Sequence, residues 1–235
     1  MRFYKIKALL KLGLQDLLKN ANVLIYIILP IGFAFLYSSM DTMPKDFCFA
    51  LCVLLSLAMV PVALMGTVIA EEKEKNTLRT LMLNDVKASE ILIAKALICL
   101  MFVVINNILI YYICGLSLTN FLTYQLIGLF TGLAIIFFGA VVGLLAKNQM
   151  SAGLLSMPFM LLLMAPLFIS MLESKVLTKL SSLLPTDAMM SLFTAISATK
   201  YSFKSVGIPI IVIASWFIIS YILFNIVYKK VGLDN

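Results

Sequence analysis

Six apolar runs, at residues 21–40, 47–70, 91–114, 122–146, 152–172 and 206–228, leave this 235-residue chain few ways to fold. A helix needs about 20 residues to cross the hydrocarbon core of a bilayer. In lipid the backbone has no water to bond, so a spanning segment must satisfy its own N–H and C=O groups, as a helix does. Hydrophobic residues make up 63% of the chain and charged residues 12%, against about 25% charged in an average soluble domain. Mean hydropathy is +1.08. These features predict an all-α integral membrane protein with six transmembrane helices. We expect one transmembrane domain over 1–235, since no Pro/Ser linker or soluble insert interrupts it.

Residues 1–20 do not read as a cleavable signal peptide, because Lys7, Lys11, Asp16 and Lys19 break the apolar stretch. Phe3, Ile6, Leu10, Leu14 and Leu17 recur at spacings of three and four, with Arg2, Lys5, Asp16 and Lys19 mostly opposite. That pattern predicts an amphipathic helix, and its basic character places it in the membrane interface. Leu9 and Leu12 fall off the pattern.

Lysine and arginine set the expected orientation. The N-terminal helix, the 73–95 stretch, Lys147 and the Lys229-Lys230 pair together hold 13 of the 18 basic residues. The other side holds five: Lys45, Lys175, Lys179, Lys200 and Lys204. The bias predicts both termini in the cytoplasm. The net charge of +7 is then a matter of topology and lipid headgroups rather than of nucleic acid.

Between the second and third runs lies a charged block. Five acids and four bases fall from Glu71 to Glu90, of 29 charged residues in all. We expect the 71–88 stretch to form a cytoplasmic loop with a surface helix near 74–83. Leu78, Leu81 and Met82 would share one face, Glu72, Lys75 and Arg79 another, and Glu71 would pair with Lys75 at i,i+4. Two readings stay open: a docking surface for a partner, or a topogenic loop of solvated charges.

Several chemistries are excluded. The chain has no histidine, which removes the usual general base and the Ser-His and Cys-His pairs. It has no GxxxxGK[ST] phosphate loop. None of its acids falls deep in an apolar run, where an ion-coupled carrier keeps a carboxylate. Cys48 and Cys52, one helical turn apart, read as small apolar side chains before they read as a metal pair; Cys99 and Cys114 lie in or at the end of the third run. No catalytic, cofactor or metal site is expected.

In the fourth run Gly128, Gly132, Gly139 and Gly143 share a face at small-xxx-small spacing, which marks close helix packing, within the subunit or across a dimer. Asn106 and Asn107 fall mid-run in the third. They read as interhelical hydrogen-bonding groups or as substrate contacts. Pro61, Pro158 and Pro166 interrupt the second and fifth runs, either as tolerated kinks or as breaks lining a pathway. The 173–205 segment is expected to form one or two short external helices, one starting at Pro185-Thr186-Asp187 with Thr186 or Asp187 as its cap.

The charged block and the opening of the third run resemble the permease subunits of ABC-2-type (type V) ABC transporters. In that family an acidic start leads to Gly-Thr-Leu-x-x-Leu, then a turn, then Glu-Ile-Leu-x-Gly-Lys. Here Glu71-Glu72, Thr77-Leu78 with Leu81, and Val86 with Glu90-Ile91-Leu92 and Lys95 match. Asn76 and Ala94 stand where glycines are usual, and Asp85 where proline is. The resemblance extends in outline over the whole chain, including Pro158, Pro166 and Leu184-Pro185-Thr186.

The resemblance implies a transport subunit of a bacterial cell membrane, with no ATPase of its own. ATP and Mg would enter through separate ATPase subunits. Glu71, Glu72, Lys75, Thr77, Leu78, Arg79, Leu81 and Met82 would make the ATPase-coupling segment, and helix 1–20 the connector beside it. A second permease copy or paralogue would complete the transporter. The apolar faces favour export of an amphipathic or hydrophobic substrate: a peptide or toxin, a drug, or a lipid. The competing readings are a non-pumping immunity or scaffold protein that binds a peptide, and an intramembrane enzyme.

Overall fold

In the computed structural model, residues 3–40, 43–75, 77, 86–170, 172, 174–198 and 202–231 are described. They are about 90% helical and contain no strand. Six helical stretches are long and apolar enough to cross a membrane: Ala21–Ser38, Lys45–Glu74, Ala88–Ile113, Leu118–Leu145, Gln149–Ile169 and Phe203–Val231. They coincide with the six apolar runs, with ends that differ by a few residues.

The N-terminal helix α1 (Phe3–Lys19) meets α2 (Ala21–Ser38) at Asn20, whose side chain caps α2 by accepting from the Asn22 N–H at 3.2 Å. On α1, Leu9, Gly13 and Leu17 face inward, and Leu10 and Leu14 pack beside them. The buried face is thus turned slightly from the one the sequence pattern gives: Leu9 joins it, and Leu12 stays exposed. A Cβ on Gly13 would come within 2.6 Å of Ile98 in the third span.

The second span is three pieces: α3 (Lys45–Ala58), a π-helical turn (Met59–Leu64) and α4 (Met65–Glu74). Pro61 lies in the wide turn. Proline has no N–H to give the helix ladder, and a π turn is one way to absorb that loss. The span is the axis of the bundle, 83% buried in its most apolar window, whereas the sixth span is 11% buried.

Around that axis stand α2, α5 (Ala88–Ile113), α6 (Phe121–Leu145) and α7 (Gln149–Ser170), while α10 (Ile208–Val231) packs on the far side of α6. The glycines of α6 decide how closely it approaches. A Cβ on Gly139 would overlap the Pro61 carbonyl oxygen, and one on Gly143 would sit 2.6 Å from the Ile69 Cβ and 2.9 Å from the Gly66 carbonyl. Gly132 faces Val103 and Leu57 at 3.3 and 3.4 Å, and Gly128 faces the Asn107 amide. All four pack inside the chain. Lipid tails are as apolar as leucine, so close backbone approach of this kind is what holds helices together in a membrane.

α7 runs unbroken through Pro158 and Pro166. Pro61 and Asn106 are buried within the chain. The Asn106 amide donates to the Ile27 carbonyl at 3.1 Å and the Ser56 hydroxyl at 3.2 Å, tying the third span to the first and second.

Before the sixth span come α8 (Lys175–Ser181) and α9 (Pro185–Ser197), then a π turn (Phe203–Gly207). The start of α9 differs from expectation. Leu184 is its N-cap position, with Pro185 in the first turn, where its missing N–H costs nothing. Thr186 caps nothing: it is buried and donates to the Leu163 carbonyl at 2.7 Å. Asp187 accepts from the Ser181 hydroxyl at 3.2 Å, and burial raises its carboxyl above the ordinary aspartate value. α9 is pinned by aromatic contacts: Phe193 lies 4.9 Å from Tyr124 and 5.2 Å from Phe49 between ring centroids.

Candidate functional site at the end of the second span

Where the apolar stretch of α4 ends, four charged residues come in succession: Glu71, Glu72, Lys73 and Glu74. An α-helix turns about 100° per residue. Four consecutive side chains on a central helix therefore point around a full circle and meet four different neighbours.

Glu71 meets the α1–α2 corner. Its carboxylate accepts from the Asn20 side-chain amide at 2.9 Å and pairs with Lys75 one turn on. Asn20 uses both ends of its side chain, the oxygen to cap α2 and the nitrogen to hold Glu71. The hydrogen bond to Glu71 also holds the Lys75 ammonium above the ordinary lysine value.

Glu72 meets the third span. It pairs with Lys95 of α5 at 2.5 Å and accepts from the Thr77 hydroxyl. Thr77 also donates to the Glu72 carbonyl at 3.1 Å. The Lys95 side chain is 8% exposed and that of Glu72 12%. At so little exposure neither charge is well solvated, so each depends on the other.

Lys73 meets the end of the fourth span. Its ammonium donates to the carbonyls of Leu144 at 2.6 Å and Ala146 at 2.8 Å. The last carbonyls of a helix have no partner within it and carry the negative end of its dipole, so a lysine there satisfies both.

Glu74 meets the start of the fifth span. It accepts from the Gln149 N–H at 2.9 Å, where the first amides of α7 have no partner in their own helix. The α6–α7 connection also closes on itself, with the Ser151 hydroxyl accepting from the N–H groups of Lys147 and Asn148 at 3.0 Å each.

A small polar cavity of about 150 Å³ lies among Gly13, Asp16, Glu71, Glu72, Thr77 and Lys95. It is bounded by α1, α4 and α5. The third span opens beside it with a capping arrangement, the Glu90 carboxylate accepting from the Lys87 N–H at 3.2 Å.

Of the residues singled out from sequence, the structure brings Glu71, Glu72, Lys75 and Thr77 together. Leu78, Arg79, Leu81 and Met82, and most of the helix expected near 74–83, lie outside the described residues. α4 itself carries the second span on to Glu74, four residues past the end of the apolar run. Sequence reasoning missed Asn20, Lys73, Glu74 and Gln149 as members of the cluster. The signal was present in the order Glu-Glu-Lys-Glu directly after a fully apolar stretch. Charges there still sit on a buried helix and need partners inside the chain.

Among the described residues no group of three or more acidic, cysteine or histidine side chains is placed to hold a metal ion. Paired charges and capped helix ends tie α4 to the α1–α2 corner, α5, α6 and α7. No curated protein matches the sequence. The family model for the ABC-2 family transporter protein matches residues 20–226, from the cap of α2 into the last turns of α10. The chain belongs to the ABC-2 transporter family, as a multi-pass membrane transport subunit that has no ATPase of its own.

Proposed function

We propose that this chain is the membrane half of an ATP-driven exporter, and that the Glu71–Lys75 cluster passes force from a separate ATPase subunit into the bundle. The reading rests on one observation. Glu71, Glu72, Lys73 and Glu74 tie the end of the central span to the α1–α2 corner, to α5, to the end of α6 and to the start of α7. A displacement of the next segment, 76–85, would reach all of them at once. Leu78, Leu81 and Met82 in that segment seat the ATPase, with Arg79 as a polar contact. Glu71 and Glu72 are engaged inside the chain, so they position the segment rather than touch the partner.

ATP and Mg act through the ATPase subunit, which closes on nucleotide and moves the segment. The cargo is amphipathic or hydrophobic, a peptide, drug or lipid, and leaves between this chain and a second copy or a paralogue. Both termini and the cluster face the cytoplasm of a cell membrane.

Affinity purification of the full chain from its native membrane in mild detergent tests the reading. It predicts that an ABC ATPase subunit co-purifies and hydrolyses ATP faster with the chain than alone. Recovery of the chain with no ATPase, or protection by the chain against a peptide that persists when the ATPase is inactivated, supports the non-pumping alternative instead.

A further inference from the structure

The second span runs from Lys45 to Glu74, so its two ends lie on opposite sides of the bundle. From Cys48 to Glu71 a helix rises about 35 Å, more than a hydrocarbon core about 30 Å thick. With the Glu71–Lys75 cluster at one membrane surface, Cys48 stands at the other. Cys114, the C-cap residue of α5, meets it there, Sγ to Sγ at 3.5 Å. Both thiols are buried, but Phe47 precedes one, Gly115 follows the other, and both of these residues are exposed. The pair is the first buried layer beneath an exposed corner.

The corner holds that spacing. Gly115 turns the chain at φ 63°, and the Lys45 ammonium lies 3.3 Å from the place its Cβ would take. Beside the thiols, Phe49 and Tyr111 meet edge to face with ring centroids 5.4 Å apart. The Tyr111 hydroxyl donates to the Ser117 carbonyl beyond the turn. The other cysteines sit deeper: Cys52 a turn along α3, and Cys99 against the Met65 sulfur at 3.7 Å. A disulfide bond is about 2.05 Å long, so the Cys48 and Cys114 sulfurs have about 1.5 Å to close.

We propose that Cys48 and Cys114 form a disulfide at the outer face of the membrane, which locks the second span to the third. The side rests on the cytoplasmic placement of the Glu71–Lys75 cluster; such bonds persist in the oxidising surroundings outside a cell. The oxidant is a small-molecule or protein disulfide. The Cys114 thiolate attacks one of its sulfurs and releases one thiolate. The Cys48 thiolate then attacks the Cys114 sulfur of the mixed disulfide and releases the other. The two cysteine protons end on the released thiols, so two thiols are oxidised and one disulfide is reduced. Glu72–Lys95 and Ser56–Asn106 already join these spans at the cluster end and partway along. The disulfide adds a third tie, and the two spans move as one piece.

Two measurements on the full chain test this. In mild detergent with oxidised glutathione, trypsin should release peptides 46–73 and 96–147 joined by a link that dithiothreitol breaks. The Cys52→Ala/Cys99→Ala chain should keep the link, and Cys48→Ala and Cys114→Ala should each abolish it. In cells treated with N-ethylmaleimide before lysis, most of the chain should carry the same link. On a second sample of intact cells, a membrane-impermeant amine reagent should label Lys45 and leave Lys229 unlabelled.

No link in detergent, or a link that survives in Cys48→Ala or Cys114→Ala, would overturn the proposal. Free thiols in cells whose Lys45 is labelled would overturn it with the orientation intact. Free thiols with Lys229 labelled in place of Lys45 would overturn the orientation, and the proposal with it.

Discussion

Glu72 and Lys95 lie 2.5 Å apart, carboxylate to ammonium, with 12% and 8% of their side chains exposed. The pair joins the central span to the third span at the rim of the polar cavity. Removing one partner of such a pair leaves the other charge buried and alone, which costs about 3 kcal/mol. Lys95→Met should lower stability by that amount in detergent, followed by Trp216 fluorescence on heating. The exchanged chain Glu72→Lys/Lys95→Glu should recover most of it, because the Thr77 hydroxyl can accept from a lysine as well as donate to a glutamate.

Lys73 should be felt at a distance from its own helix. Lys73→Met leaves the Leu144 and Ala146 carbonyls without their present donor. An unmade bond of this kind is worth about 1.4 kcal/mol, or tenfold in an opening equilibrium. Amide exchange across 145–150 should rise about tenfold, with that of α3 unchanged. Equal exchange in the two chains would mean that the α6–α7 connection holds without Lys73.

The glycines of α6 separate into positions that pack and a position elsewhere that does not. A Cβ on Gly139 meets the Pro61 carbonyl oxygen and Met65, and the backbone of the π turn cannot swing aside as a side chain can. Gly139→Ala should cost about 1–3 kcal/mol or abolish accumulation of the protein. Among the described residues, nothing lies within 4 Å of a Cβ position on Gly32 of α2. Gly32→Ala should leave melting unchanged or raise it, by up to about 1 kcal/mol.

Two neighbouring asparagines should behave oppositely. Asn106 bonds to Ile27 and Ser56, whereas neither side-chain polar atom of Asn107 has a hydrogen-bond partner among the described residues. Asn106→Leu should destabilise by about 0.6 kcal/mol, the average for a hydrogen bond between membrane helices, and by no more than about 1.7 kcal/mol. Asn107→Leu, close in shape, should be neutral or stabilising. A loss at Asn107 as large as that at Asn106 would contradict this account.

Much of the fold was legible in the sequence because lipid imposes a simple rule on length and polarity. The six runs, the amphipathic α1 and the short helices before the sixth span come from it. The illegible part depends on which neighbour a side chain meets. Leu9 is buried because α1 lies against Ile98 through Gly13, and the period of the helix alone cannot fix that rotation. Thr186 looks like a cap by type and position, yet α7 passes close enough to offer it the Leu163 carbonyl. The cluster was half legible. Glu71 and Lys75 are local partners at i,i+4, but Lys73 and Glu74 find theirs more than 70 residues away, at the facing ends of α6 and α7.

We propose that the Glu71–Lys75 cluster and the segment after it transmit the work of a separate ATPase. ATP hydrolysis by an ATPase subunit that co-purifies, measured with and without the reconstituted chain, is the test. Glu72→Lys and Leu78→Asp should each reduce the stimulation by the chain about tenfold, with both subunits still assembled. Full stimulation in both variants, in intact complexes, would contradict the account.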